Sequence, residues 1–440
     1  MNKTPKIFFQ RIYHDLGPAL LAASLTIPQA IAFAVLAGID PAHGLALCII
    51  PTLVALWLSR SPHLLSGPNT AVSLLLFTAT MSYAVPYSKE YHGIILVITA
   101  IAAICQFLFY VLHIGRMFLA LPLSVLHAII SGTGLHIILQ QLGMAIGAPV
   151  NGGGLYEVVG QSLLYDKINY YAVLATLVTV QAGLIAQTTK LQKYSILFAI
   201  AAGYAFSAIV ELLFGVNETN LDLLGNLHFP STWFAFPHMD WSDMTLWVAV
   251  LKGGFAVAVV GSLQAVVIAR ALAAITKLPL NVNREILAQA GMNLAAAFTA
   301  SFAGAASFNR SFSNLEAGAS GRLAGVIAIA WIILVVLLGS AILGTTLLAV
   351  VAGTLILAGL SLLLSVKWED FCKKSDWIEF FVTYVCVIVF GLVEAIIVGA
   401  ALAFYHYILE NYTDGLPNTR ETEATPVTSE EMAAPTPSKP

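Results

Sequence analysis

Residues 66–73 read Ser-Gly-Pro-Asn-Thr-Ala-Val-Ser, and residues 304–311 read Gly-Ala-Ala-Ser-Phe-Asn-Arg-Ser. Each stretch has glycine or proline among its first three residues and leads into a segment, 68–80 or 308–319, that is shorter than most of the apolar runs elsewhere in the chain. Glycine and proline interrupt helices, and about 20 residues are needed to cross a bilayer. The two stretches therefore predict a pair of half-helices that begin inside a membrane.

The composition supports a membrane setting. Of the 440 residues, 59% are hydrophobic and only 10% are charged, and the mean hydropathy is +0.86. Soluble domains carry about 25% charged residues, so most of this surface must face lipid. The 20 Lys and Arg residues against 23 Asp and Glu residues leave no excess basic charge for binding nucleic acid. The formal net charge of -3 comes from the polar segment 411–440.

Apolar runs predict an all-α membrane protein with fourteen transmembrane elements. Besides the two half-helices, the runs are 16–37, 42–58, 93–114, 121–142, 168–188, 194–215, 245–272, 285–304, 323–340, 342–365, 376–390 and 391–409. With the N-terminus inside, fourteen basic residues fall on the cytoplasmic side and only Lys89 and Lys167 fall outside. We expect a multi-pass protein of the cell inner membrane with both termini cytoplasmic. The transmembrane domain would span 1–410, and 411–440 would be a disordered cytoplasmic tail.

Two pairs of segments indicate an internal repeat. Residues 29–34 (QAIAFA) are similar to 264–269 (QAVVIA), and residues 69–73 (NTAVS) are similar to 309–313 (NRSFS), at nearly the same offset. The offset corresponds to seven elements, and because seven is odd the second copy must enter the membrane inverted. We expect repeat one at about 12–215 and repeat two at about 244–410, with the half-helices, elements three and ten, meeting at the midplane. Inverted repeats of this kind are typical of secondary transporters.

The half-helix starts supply the candidate binding site. Arg310 lies in the first turn of its half-helix, and charged residues inside a bilayer are expected to be functional. Two helix N-termini pointing at each other, each with roughly half a positive charge, would form with Arg310 a focus that attracts an anion. Polar side chains beside it supply neutral donors. These are Asn69, Thr70, Ser73, Ser307, Asn309 and Ser311.

Span one adds Gln29, which follows Pro28, and Phe33, which lies one turn later on the same face. Gln264 occupies the equivalent place in span eight, and Phe308 lies within the second half-helix start. The sequence contains no phosphate-binding loop, nucleophile elbow or zinc motif. We therefore predict neither an enzyme nor an ATP-driven pump, and no metal or cofactor.

The same segments carry a family resemblance. Residues 15–38, with Thr-Ile-Pro-Gln-Ala-Ile-Ala-Phe-Ala at 26–34, resemble the first span of the sulfate permease (SulP) family. Residues 262–273 (SLQAVVIARALA) are similar to its eighth span, and 283–293 and 304–311 to its ninth and tenth. The resemblance covers about residues 12–410. It implies seven-plus-seven inverted repeats, a core and a gate domain, and an elevator-like motion that carries a small anion.

Carried over residue by residue, the resemblance implies that Gln29, Phe33, Asn69, Thr70, Asn309 and Arg310 line the anion site. The chain also departs from the family pattern. Gln264 replaces a carboxylate found in many members, so coupling to sodium or protons through that position is not expected. Asn69 replaces an aromatic residue of some members, which indicates a more polar pocket. The regulatory STAS domain usual in the family is not expected here.

The leading hypothesis is an elevator-like secondary transporter of sulfate, bicarbonate, chloride or a dicarboxylate, working by exchange or facilitated transport. The alternatives are an anion channel or voltage-responsive membrane protein of the same family, and a nucleobase-type carrier of the same fold. The expected partners are the small anion, the lipid bilayer and, as a possibility left open, a second copy in a homodimer.

Overall fold

Helices dominate the architecture. The computed structural model describes residues 4–119, 122–148, 159–162, 164–165, 167–189, 195–219, 221, 229–230, 232–239, 242–344, 348–364, 366, 368–371, 373–390 and 392–413. Most of the predicted tail 411–440, from residue 414 onward, lies outside these ranges, as do parts of the predicted connections 143–167 and 216–243. Seven helical segments of the described residues, one of them the stretch Pro41–Leu58 taken as a whole, are long and apolar enough to cross a membrane. The protein is therefore an all-α, multi-span membrane protein, as predicted.

Most of the helices follow the predicted runs closely, but α1 begins at Thr4 and not at residue 16. In the first part of the chain they are α1 (Thr4–Leu36), α2 (Pro41–Leu47), α3 (Ile50–Leu58), α4 (Thr70–Thr80), α5 (Lys89–Val111), α6 (Gly115–Leu119), α7 (Leu123–Gln140), α8 (Leu142–Ala145), α9 (Tyr170–Gln187), α10 (Ser195–Phe214) and α11 (Val216–Thr219). In the second part they are α12 (Met244–Thr276), α13 (Val282–Phe298), α14 (Phe308–Glu316), α15 (Arg322–Gly344), α16 (Leu348–Leu363), α17 (Lys374–Val389) and α18 (Leu392–Thr413). Two-residue strands, β1 (Ser66–Gly67) and β2 (Ala305–Ala306), precede α4 and α14.

The run predicted as one span at 42–58 is two helices, α2 and α3. Pro51 lies in the first turn of α3 and has no N–H group to donate to the carbonyl of Leu47. The Thr52 hydroxyl donates to that carbonyl instead, at 2.9 Å. The break therefore leaves the Leu47 carbonyl satisfied although the helix is interrupted.

The helices pack as two bundles. The first bundle comprises α1–α6 and α12–α15, and its apolar core includes Leu76, Ile94 and Val257, all nearly inaccessible to solvent. The second bundle comprises α7–α11 and α16–α18, where α7 packs on α16 and α17. The strands β1 and β2 belong to the first bundle, so both short helices, α4 and α14, begin there.

Candidate anion-binding site

The two strands fix how the short helices meet. They pair antiparallel, with Ser66 opposite Ala306 and Gly67 opposite Ala305. The backbones come so close that a Cβ atom on Gly304 would lie 2.5 Å from the Gly67 carbonyl oxygen. Only glycine fits at position 304 without a shift of the backbone. The pairing was not predicted from the sequence, because a two-residue strand has no periodicity to recognise.

Buried amide side chains hold the place where β1 and β2 pair, here called the crossing. The Asn293 side-chain oxygen accepts from the Gly304 N–H at 2.9 Å, and its amide group donates to Gln106 at 2.9 Å. The Gln289 amide donates to the Ser66 hydroxyl at 2.9 Å. All of these side chains on α5 and α13 are fully buried. Helix α13 thus hydrogen-bonds both to Ser66 at the start of β1 and to Gly304 just before β2. The sequence analysis missed this role.

The N-terminus of α4 is capped by its own side chain. The Asn69 side-chain oxygen accepts from the N–H groups of Ala71 at 3.0 Å and Val72 at 3.4 Å. The Asn69 amide group donates to the carbonyl of Ala306 at 3.1 Å, across the strand pair. Asn69 lines the cavity described below, but its polar atoms already bind the protein.

The N-terminus of α14 is open by comparison. Its cap residue, Ser307, accepts from the Arg310 N–H only at the long distance of 3.5 Å. Within the described residues, the N–H groups of Phe308 and Asn309 have no hydrogen-bond acceptor. A helix N-terminus with free N–H groups attracts anions. The amide group of Asn309 is also buried without a partner.

Arg310 lies behind this N-terminus rather than in the cavity. Its side chain is 1% exposed, and one guanidinium nitrogen donates to the Gln29 side-chain oxygen at 3.3 Å. The other terminal nitrogen has no partner among the described residues and lies against Gly67. A buried charge without a counter-charge is unfavourable. The positive potential of Arg310 is therefore available to whatever occupies the space in front of α14.

That space is a cavity of about 60 Å³ between the two bundles. Eight of the nine predicted site residues line it, Arg310 being the exception. They are Gln29, Phe33, Asn69, Thr70, Gln264, Ser307, Phe308 and Asn309. The Gln264 side chain is 9% exposed and its buried oxygen has no partner, while Gln29 is held by Arg310 from behind.

The opposite wall comes from the second bundle. The sequence analysis missed the residues of this wall. They are Thr133 and Ile137 on α7 and Leu355, Ala358 and Leu362 on α16. The Thr133 hydroxyl donates to the carbonyl of Ile129 at 2.7 Å, as such hydroxyls do inside helices. No sequence signal distinguishes these side chains from ordinary packing residues. Only the placement of the second bundle brings them to the site.

A larger cavity of about 590 Å³, here called the vestibule, lies next to the small one. The two share Phe308, Asn309 and Leu362. The vestibule continues along α14 and is walled by both bundles, including the ends of α9 and α12 and the start of α10. The vestibule therefore borders the small cavity at the start of α14. Among the described residues there is no group of three potential metal ligands.

Known proteins share this architecture. The transmembrane domain of a cyanobacterium bicarbonate transporter, BicA, superimposes with a TM-score of 0.73 at 19% identity, covering 88% of this chain and 98% of that one. The murine anion transporter Slc26a9 in its inward-facing state superimposes with a TM-score of 0.73 at 16% identity, covering 91% and 69%. The protein thus has the transmembrane-domain fold of these transporters.

The sequence comparisons identify the family. The sulfate permease family matches residues 12–407, and the chain belongs to this family, whose members are transporters and not enzymes. The chain is 26% identical to the bicarbonate transporter BicA of Picosynechococcus sp. over 389 residues, covering 86% of this chain and 66% of that protein. It is 25% identical to the low affinity sulfate transporter 3 of Stylosanthes hamata over 431 residues, covering 91% and 65%. The chain thus spans about two thirds of the length of these relatives.

Proposed function

We propose that the chain is a secondary transporter of a small anion of the sulfate, bicarbonate, chloride or dicarboxylate class. The observation that carries the proposal is the buried guanidinium of Arg310, which has an unpartnered nitrogen and lies directly behind the open N-terminus of α14. An anion in the small cavity would supply the missing counter-charge. The named substrates of two relatives, bicarbonate and sulfate, are anions of this class.

In the proposed site, the anion accepts hydrogen bonds from the N–H groups of Phe308 and Asn309. Because Arg310 binds the Gln29 oxygen, the Gln29 amide group is left as a donor. Gln264 and the hydroxyls of Thr70 and Ser307 complete a polar wall. Phe33 and the side chains of α7 and α16 close the site on the apolar side. Arg310 contributes charge through Gln29 and through space, not by direct contact in this conformation.

The proposed transport cycle is elevator-like. The anion ligands belong to the first bundle, whereas α7 and α16 of the second bundle form the opposite wall. Sliding the first bundle along the second would carry the anion across the membrane with its ligands intact. The antiparallel pairing of β1 with β2 fits two inverted repeats of seven elements, with α4 as element three and α14 as element ten.

We further propose exchange or facilitated transport without coupling to sodium or protons. Gln264 is an amide where a titratable carboxylate would serve a coupling ion, and it borders the cavity from α12. The distribution of basic residues supports an inner-membrane protein with both termini in the cytoplasm. The proposal also includes a homodimer.

The test is uptake of radiolabelled sulfate, bicarbonate, chloride, succinate and uracil into proteoliposomes, with and without sodium and pH gradients. We expect saturable anion uptake that is stimulated by the same anion on the opposite side. A flux that neither saturates nor shows this stimulation would favour the channel alternative, and uptake of uracil alone would favour the nucleobase carrier. Accumulation driven by either gradient would contradict uncoupled transport.

A further inference from the structure

A single carboxylate lies in the vestibule that leads to the site. Glu316 is the last residue of α14, lines the vestibule and is solvent-exposed. Among the described residues that line the vestibule, only Glu316 and His127 have ionisable side chains, and none is Lys or Arg. An anion pathway that contains a fixed negative charge requires a physical explanation.

Glu316 lies on the same face of α14 as Phe308, at the start of the helix. Phe308, Phe312 and Glu316 follow at intervals of four residues, and the rings of Phe308 and Phe312 stack at 5.8 Å. Glu316 lies seven positions after Asn309, which places it about 10 Å from that residue along the helix axis. An anion that reaches the site through the vestibule therefore passes Glu316.

The surrounding charges do not neutralise this carboxylate. Within the described residues, Glu316 forms no ion pair and accepts no hydrogen bond. The facing ionisable group on α7, His127, has its ring 6.0 Å from that of Phe371. On α12, which packs against α14, Arg270 precedes the vestibule residue Ala271 but is itself not part of the lining. The end of α14 therefore presents a negative charge to the vestibule.

We propose that Glu316 is a specificity-determining residue that makes the transporter favour monovalent over divalent anions. A fixed charge acts in proportion to the charge of the passing ion, so a divalent anion is opposed twice as strongly as a monovalent one. At about 10 Å in a water-filled vestibule, each unit of charge changes the local anion concentration on the order of two- to fivefold. The inference rests on the proposed anion transport and adds the valence preference to it.

The test compares kcat/KM for radiolabelled sulfate and radiolabelled bicarbonate in proteoliposomes. Where only one of the two is transported, the inhibition constant of the other as a competitor is compared with the KM of the transported anion instead. In Glu316→Gln we expect the sulfate-to-bicarbonate ratio to rise on the order of two- to fivefold, and the rise should shrink at high ionic strength because salt screens charges. Because Glu316 is exposed, this substitution should not affect folding.

Two variants serve as controls. Glu316→Asp keeps the charge and should keep the wild-type ratio, and Ser313→Ala removes a polar group from the same vestibule wall without changing charge. An unchanged ratio in an active Glu316→Gln transporter would overturn the proposal, as would an equal rise in Glu316→Asp. Failure of the wild type to transport any anion would instead contradict the proposed function itself.

Discussion

The two half-helices begin in the same strand pair, yet their N-termini are in different chemical states. At α4, Asn69 accepts from two N–H groups of its own helix and donates to the carbonyl of Ala306. At α14, Ser307 caps only weakly at 3.5 Å, and the N–H groups of Phe308 and Asn309 are free within the described residues. The two helix N-termini look equivalent in the sequence, but the N-terminus of α4 is capped and that of α14 keeps two free N–H groups.

The difference shows how a pseudo-symmetric site can favour one side. Within the described residues only the Thr70 N–H of α4 lacks an acceptor, so this end has less capacity to bind an anion than α14, which has two free N–H groups beside its partial positive charge. Arg310 also lies on the α14 side, with its charge unpaired. We therefore expect the anion to depend mainly on α14, with α4 serving to hold the crossing in place.

The largest effect should come from a substitution at the crossing, where β1 and β2 pair. In Gly304→Ala, the new methyl group would lie 2.5 Å from the Gly67 carbonyl oxygen, so β1 and β2 must separate. Overpacking of this kind costs about 1–3 kcal/mol or more, and both half-helix starts would move. We expect transport to be lost and the melting temperature in detergent to fall. Gly17→Ala, where no atom lies within 4 Å of the new methyl group, should behave as wild type.

Removal of the charge behind α14 should have the next largest effect. Arg310→Ala should weaken anion binding several-fold to a few hundred-fold, corresponding to about 1–3 kcal/mol for a charge-assisted interaction. Arg310→Lys should restore part of the affinity, since it keeps the charge but loses the planar fork that reaches Gln29. The measurement is KM for the transported anion. An unchanged KM in Arg310→Ala would show that α14 does not form the site.

The cap residues test the difference between the two ends directly. Asn69→Ala removes two capping bonds and the bond to Ala306, and loss of an N-cap alone typically costs about 0.5–2 kcal/mol. Ser307→Ala removes only one long bond. We expect thermal melting to show a clearly larger loss of stability for Asn69→Ala. Equal losses in the two variants would mean that the two ends do not differ in solution.

The smallest effect concerns Gln264, which borders the cavity without charge. Gln264→Glu introduces a titratable group into a site that otherwise favours anions. When this carboxyl is ionised it repels the anion, so KM should rise with increasing pH in the variant and change much less in the wild type. Gln264→Asn is the uncharged control. A strong pH dependence in the wild type, at constant substrate protonation, would contradict uncoupled transport.

Much of the fold followed from local sequence. The apolar runs predicted the helices closely, and the Gly- and Pro-containing stretches located the starts of α4 and α14 within two residues. The break before Pro51 was missed because the run 42–58 is almost entirely apolar, although the proline itself was a signal of a helix interruption. The strand pair was missed because it depends on two segments that are distant in the chain.

The sequence by itself determined that this is a multi-span membrane protein, which residues begin its half-helices, and eight of the side chains that meet at one cavity. Composition and residue type suffice for the spans and the half-helices, since hydrophobic length and helix interruption are local properties. The side chains at the cavity followed from the internal repeat and the family resemblance. Only the tertiary structure decided that Asn69 is engaged, that Arg310 lies behind the cavity, and that α7 and α16 form the opposite wall. These features depend on which distant groups face each other: the Asn69 amide can be satisfied only because packing brings the carbonyl of Ala306 within 3.1 Å.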